Sequence, residues 1–123
     1  MAENKEYAVR QVENGSINIS EEVIATVAAV AAKDVDGVST LFGNLGEDIA
    51  GILGKKNVNK GVRIQLQEDG VIIECNIIAT YGCSVIEMAK NLQIAVTSAV
   101  ESMTGLTVKN VTVNVCGIAA AGK

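Results

Sequence analysis

The chain has 123 residues, 49% of them hydrophobic, but only two Tyr, one Phe and no Trp, so its core is expected to be thin layers of Val, Ile, Leu and Ala without bulky aromatic pockets. A net charge of −4 repels phosphate backbones, and the absence of His removes the commonest general base, metal ligand and triad partner. No stretch reaches the roughly 18 apolar residues of a membrane span, and Met1–Glu6 lacks the basic-then-apolar order of a secretory signal, so a cytoplasmic protein is expected.

Residues 1–14 are polar and mixed in charge, with Tyr7, Val9 and Val12 hinting at a weak strand before the Asn14-Gly15 turn; they read as a partly ordered arm. Ser16-Ile17-Asn18-Ile19 alternates as a short strand. Ser20 is then placed to cap a helix whose first turn holds Glu21 and Glu22, favourably set against the helix dipole. Val23, Ile24, Val27, Ala28, Val30, Ala31 and Ala32 recur at helical spacing and predict a broad apolar face, ended by Asp34-Val35-Asp36-Gly37. Leu41, Phe42, Leu45, Ile49, Ile52 and Leu53 repeat at rough helical spacing, but Gly43, Gly46, Gly51 and Gly54 weaken any helix there, so 40–60 reads as a variable insertion with a short or conditional helix.

Val62 to Gln67 alternates strictly, Asp69-Gly70 turns, and Val71 to Ala79 forms a long strand with Val71, Ile73, Cys75 and Ile77 on one face. Ser84 and Glu87 make a capping box for a second helix, on which Met88, Leu92, Ala95, Val96, Ala99, Val100 and Met103 draw an apolar stripe as far as Gly105. Val111 to Val115 is the last strand, followed by small residues. The order strand–helix–strand–strand–helix–strand predicts an α+β fold: a mainly antiparallel four-stranded sheet with two helices packed on one face and the other face open.

That open face is expected to carry Arg63, Gln65, Gln67, Ile72, Glu74, Asn76 and Ile78, mixing amides with two exposed isoleucines, and is the candidate interaction surface. Gly51-Ile-Leu-Gly54 followed by Lys55, Lys56 and Lys60 resembles the backbone clamp of a KH module. It makes the three lysines a candidate anion contact, and a KH-like nucleic-acid module using Gly51–Arg63 the alternative function, although the overall charge disfavours nucleic acid. The cysteines Cys75, Cys83 and Cys116 are odd in number and lack C-x-x-C spacing, which encodes neither a disulfide framework nor a zinc site. Cys83 precedes a helix cap, where a thiol can be activated, whereas Cys75 and Cys116 read as small hydrophobes in or beside strands. The acidic pairs fall at caps, turns and loops, where carboxylates have structural uses. No catalytic residue, metal or cofactor is assigned.

Tyr81-Gly82-Cys83-Ser84-Val85-Ile86-Glu87-Met88-Ala89-Lys90-Asn91-Leu92-Gln93, Met103-Thr104-Gly105-Leu106 and Val111-Thr112-Val113-Asn114-Val115-Cys116-Gly117-Ile118, together with Gly15 to Ile24, Asp36-Gly37-Val38 and Lys60-Gly61-Val62, resemble the bacterial alkaline-shock-protein family of envelope stress response proteins. The resemblance covers residues 15–118 as one domain, with 119–123 as a tail. It implies a non-enzymatic structural or adaptor protein with no cofactor and no small-molecule substrate. Such a protein self-associates as a homo-oligomer and meets membrane-anchoring or envelope-associated proteins, peripheral to the inner face of the cell membrane and without inserting into it.

Overall fold

The computed structural model describes residues 7–42 and 61–120. Eight elements follow in order: β1 (Tyr7–Val12), β2 (Gly15–Ser20), α1 (Glu21–Lys33), β3 (Val38–Leu41), β4 (Val62–Gln67), β5 (Gly70–Thr80), α2 (Val85–Thr104) and β6 (Val108–Ala119). The fold class is the expected α+β. The expected helical spacing from Leu45 to Leu53 lies outside the described residues; Leu41 belongs to a strand and not to a helix.

Both helices start where a hydroxyl can satisfy an otherwise unpaired amide. Ser20 Oγ accepts from the Val23 N–H at 3.2 Å, and Ser84 Oγ accepts from the Glu87 N–H at 3.3 Å. α2 stops at Gly105, which takes the left-handed conformation (φ 76°) and returns its N–H to the Glu101 carbonyl. On α1 the buried face is Ile24, Ala25, Ala28, Ala29 and Ala32, mostly small side chains that let the helix lie close to its neighbours. Val23 and Val30, expected on this face, are exposed instead. They stand seven residues apart on one stripe, turned away from the alanine line that packs. On α2, Met88, Leu92, Val96 and Val100 are buried as the spacing predicts, but Met103 is 71% exposed and Thr104 takes the inner place at the last turn. The Thr104 hydroxyl is satisfied there, donating to the Val100 carbonyl at 2.6 Å and accepting from the Leu106 N–H at 3.1 Å.

β5 is the spine of the sheet. β6 pairs with it in parallel from Val71↔Val108 to Thr80↔Ala119, and β4 pairs antiparallel from Val62↔Cys75 to Gln67↔Gly70. β3 takes up the rest of the β4 side of β5, with Val38↔Ala79 and Leu41↔Ile77. β3 and β4 thus share one edge of β5 end to end and meet at Asn76. The Asn76 carbonyl accepts from the Phe42 N–H at 2.8 Å, and its N–H donates to the Gly61 carbonyl at 2.7 Å. The chain therefore leaves the sheet after Phe42 and re-enters at Gly61 across a single residue of β5.

The sheet has four strands as expected, but different ones. β2, anticipated as a sheet member, pairs instead with β1 in a separate antiparallel hairpin, Tyr7↔Ser20 to Val12↔Gly15. Its place is taken by β3, because the chain turns back at Gly37 straight onto the end of β5, where the Thr80 N–H donates to the Gly37 carbonyl at 2.8 Å. The hairpin is held by Ala8 and Ile19 against the core and by Arg10, whose Nη1 donates to the Gly105 carbonyl at 2.7 Å, a cation at the C-terminal end of α2.

α1 contacts β3 and β4, α2 contacts β6, and the helices pack on each other. Below them β5 buries Val71, Ile73, Cys75, Ile77 and Ala79. Each fully buried Val, Leu or Ile contributes about 1.5–3 kcal/mol, so this aliphatic layer dominates the stability of the domain.

Candidate interaction surface

Strand alternation sends the other residues of β5 to the face away from the helices, and the register shows what they meet. Arg63 lies opposite Glu74, Gln65 opposite Ile72 and Gln67 opposite Gly70 on one side; Thr112 lies opposite Glu74, Asn114 opposite Asn76 and Gly117 opposite Ile78 on the other. The seven residues singled out from the sequence therefore share one face. Arg63, Gln65 and Gln67 are exposed, whereas Ile72, Glu74, Asn76 and Ile78 are half-buried. The two isoleucines are not the exposed side chains expected, because β5 is flanked on both edges and its neighbours' side chains crowd it. Ile78 leans over Gly117, its Cδ1 3.1 Å from where a Cβ would stand.

The middle of this face is polar and ordered. Asn114 Nδ2 donates both to Glu74 Oε2 at 2.7 Å and to Asn76 Oδ1 at 2.8 Å, and the other carboxylate oxygen of Glu74 stands 4.0 Å from Arg63 Nη1. Thr112 Oγ1 donates to Asn110 Oδ1 at 3.1 Å alongside. Sequence reasoning missed Asn114, although its alternation with Val113 and Val115 would have directed it outward. The arrangement is a shallow sheet surface: Ile72 and Ile78 lie on either side of a hydrogen-bonded acid–amide cluster.

Elsewhere the chemistry is sparse. A concavity of about 580 Å³ runs along the outer side of β4, between Tyr7, Ser20, Ala25, Ile64 and Glu74. Among the described residues no group of three or more Cys, Asp or Glu could hold a metal ion. Cys75 is buried, and desolvation, with a smaller contribution from the Glu74 charge, pushes its thiol up to about 12. Cys83 is half-buried with Sγ 3.9 Å from the Gly37 carbonyl. Cys116 is exposed and not the small core residue expected, since the register irregularity between Ile77 and Ile78 leaves it without a cross-strand partner. Lys55, Lys56 and Lys60, with the Gly51–Gly54 clamp, lie outside the described residues; Arg63, the remaining cation of that cluster, stands beside Glu74. No described helix is long and apolar enough to cross a membrane.

Comparison with known proteins agrees with the sequence resemblance. The chain is 33% identical to the uncharacterized protein YqhY of Bacillus subtilis (strain 168) over 104 residues, covering 85% of this chain and 77% of that protein. It is 35% identical to the uncharacterized protein YloU of the same organism over 106 residues, covering 85% and 88%. It is also 31% identical to the uncharacterized protein Spy1614 of Streptococcus pyogenes serotype M6 over 112 residues, covering 89% and 93%. No solved structure matches it. Residues 9–120 match one family end to end, taking in every described element but the first two residues of β1, and the chain belongs to that family: the alkaline shock protein 23 family, of cell envelope-related function.

Proposed function

We propose that the protein is a non-enzymatic structural or adaptor component of the cell envelope, which self-associates through the open sheet face and meets membrane-anchoring or envelope-associated proteins at the inner face of the membrane. The observation that carries this reading is the placement of both helices on one side of the sheet. The central strand is thereby left uncovered by any described element on the other side, where Ile72 and Ile78 offer apolar area and the Asn114–Glu74–Asn76 cluster offers fixed hydrogen-bonding directions. Ordered polar groups surrounded by aliphatic area give an interface its register, while the aliphatic area supplies the affinity.

Light scattering on the full chain tests it. Ile72→Lys/Ile78→Lys is expected to lower the mass from oligomer to monomer, with the circular dichroism of the fold retained because long lysine stems can lie along the sheet while their ammonium groups reach water. An unchanged mass sinks the sheet-face interface. Cross-linking in native cells followed by capture of the chain is expected to recover membrane-anchoring or envelope-associated proteins, and recovery of the chain alone would leave the adaptor role without support.

A further inference from the structure

The outer edge of β6 is a second contact surface, distinct from the open face. Among the described residues β6 pairs with β5 only, along a strand of 12 residues. Neighbouring residues of a strand direct their backbone groups to opposite edges, so each bond to β5 fixes which residues point outward. The Val71 N–H donates to the Thr107 carbonyl, which turns Val108 outward, and Glu101 Oε2 accepts the Val108 N–H at 2.9 Å. Past the register shift between Val71 and Ile72, Val111 is outward, and Gln93 Nε2 donates to its carbonyl at 2.9 Å. Two side chains of α2 thus occupy the first half of the edge.

The second half has no such cover from α2. Alternation turns Val113 and Val115 outward, and the Tyr81 N–H to Ala119 carbonyl bond turns Ile118 outward beyond the second register shift. From Asn110 to Ala120 no residue is charged and none is Pro, so the devices that ordinarily guard an exposed edge are missing. This stretch also has apolar area beside it. Gln93 and Glu101 mark the flank of α2 that overhangs the edge, and Ile86 and Ile94 stand seven residues before each of them on that flank, 65% and 67% exposed. Two helical turns carry Ile86 about 10 Å beyond Gln93, which is about three strand residues past Val111. Val115 and Ile118 pair with Ile77 and Ala79, the helix side of the sheet, and Ile118 is 53% exposed.

We propose that the Thr112–Ala119 edge, overhung by Ile86 and Ile94, pairs antiparallel with the same edge of a second copy about a two-fold axis, joining two sheets into one. This deepens the self-association proposed above but uses a different surface. A second copy is the fitting occupant because two chains of net charge −4 approach at least cost through their neutral surfaces. The outer edge of β4, by contrast, runs through Arg63 to the acidic turn at Glu68 and Asp69. Antiparallel pairing about a two-fold is self-complementary, with each Ile86 meeting the partner's apolar flank.

Sedimentation equilibrium of the full chain, with amide hydrogen exchange over a concentration series, tests the edge. Ile86→Lys/Ile118→Lys changes two side chains that are exposed in the single chain and is expected to raise the dissociation constant at least about tenfold, while exchange at Val113 and Val115 slows with concentration in the wild type only. If this variant keeps the wild-type mass and Ile72→Lys/Ile78→Lys alone lowers it, the edge proposal fails and the open-face reading survives; the converse result supports the edge and removes the open face. Loss of mass in both variants supports both surfaces. A wild type that stays monomeric throughout overturns both and leaves the edge to an extended segment of another protein.

Discussion

Asn114 on β6 donates its side-chain amide to Glu74 on β5 at 2.7 Å, and the same nitrogen reaches Asn76 at 2.8 Å, so one amide group satisfies two acceptors on the neighbouring strand. Replacing it leaves a half-buried carboxylate and a half-buried amide oxygen short of a donor. Asn114→Leu is therefore expected to cost about 1–3 kcal/mol in urea denaturation. Arg63→Ala, which removes an exposed group 4.0 Å from the same carboxylate, is expected to cost less than about 1 kcal/mol. Equal costs for the two variants would show that Glu74 draws no special support from β6.

Gly37 and Gly82 take nearly the same backbone conformation, φ 99° and 98°, in different surroundings. A Cβ at Gly82 meets nothing within 4 Å, whereas one at Gly37 stands 2.9 Å from Met88 Cγ and 3.3 Å from Cys83 Sγ. Gly82→Ala is expected to show the backbone strain alone, about 1–2 kcal/mol. Gly37→Ala adds displacement of the start of α2 and is expected to be the more destabilising in thermal melts. If Gly82→Ala proves equal or worse, the close approach of Gly37 to α2 is not what constrains that turn.

The buried Cys75 thiol makes stability depend on alkaline pH. Its folded pKa is raised from 9.0 to about 12, mainly by desolvation and then by the Glu74 charge, so folding favours the neutral thiol. The contribution is fully present below the unfolded value and is lost as pH rises from about 9 through about 12, at up to about 1.4 kcal/mol per pH unit. Cys75→Val, of similar volume and without a proton to lose, is expected to be less sensitive to pH in that window. Parallel stability–pH curves for the two proteins, measured by urea denaturation, would count against a desolvated thiol.

Local sequence was sufficient for whatever depends on near neighbours. The caps at Ser20 and Ser84, the stop at Gly105, the alternation that places Val71, Ile73, Cys75 and Ile77 under the helices and the turn joining β4 to β5 all rest on hydrogen bonds or side-chain periods within a few residues. The same alternation placed Arg63 to Gln67 and Ile72 to Ile78 on one outward face before any partner strand was known.

What tertiary structure decided were relationships between residues far apart in the chain. β3 is four residues long and carries no strand signal of its own; the far end of β5 gives it a partner. Whether β2 joined the sheet or a hairpin turned on where the chain went after α1, and the exposure of Val23, Val30 and Met103 on how far each helix overlies the sheet. The cluster at Glu74 and the half-guarded edge of β6 both follow from the parallel register of β6 on β5, which α2 sets by carrying the chain back over the sheet. A periodic pattern shows which face a side chain takes, but a register is a long-range choice, made when the buried layers of two separated strands interlock.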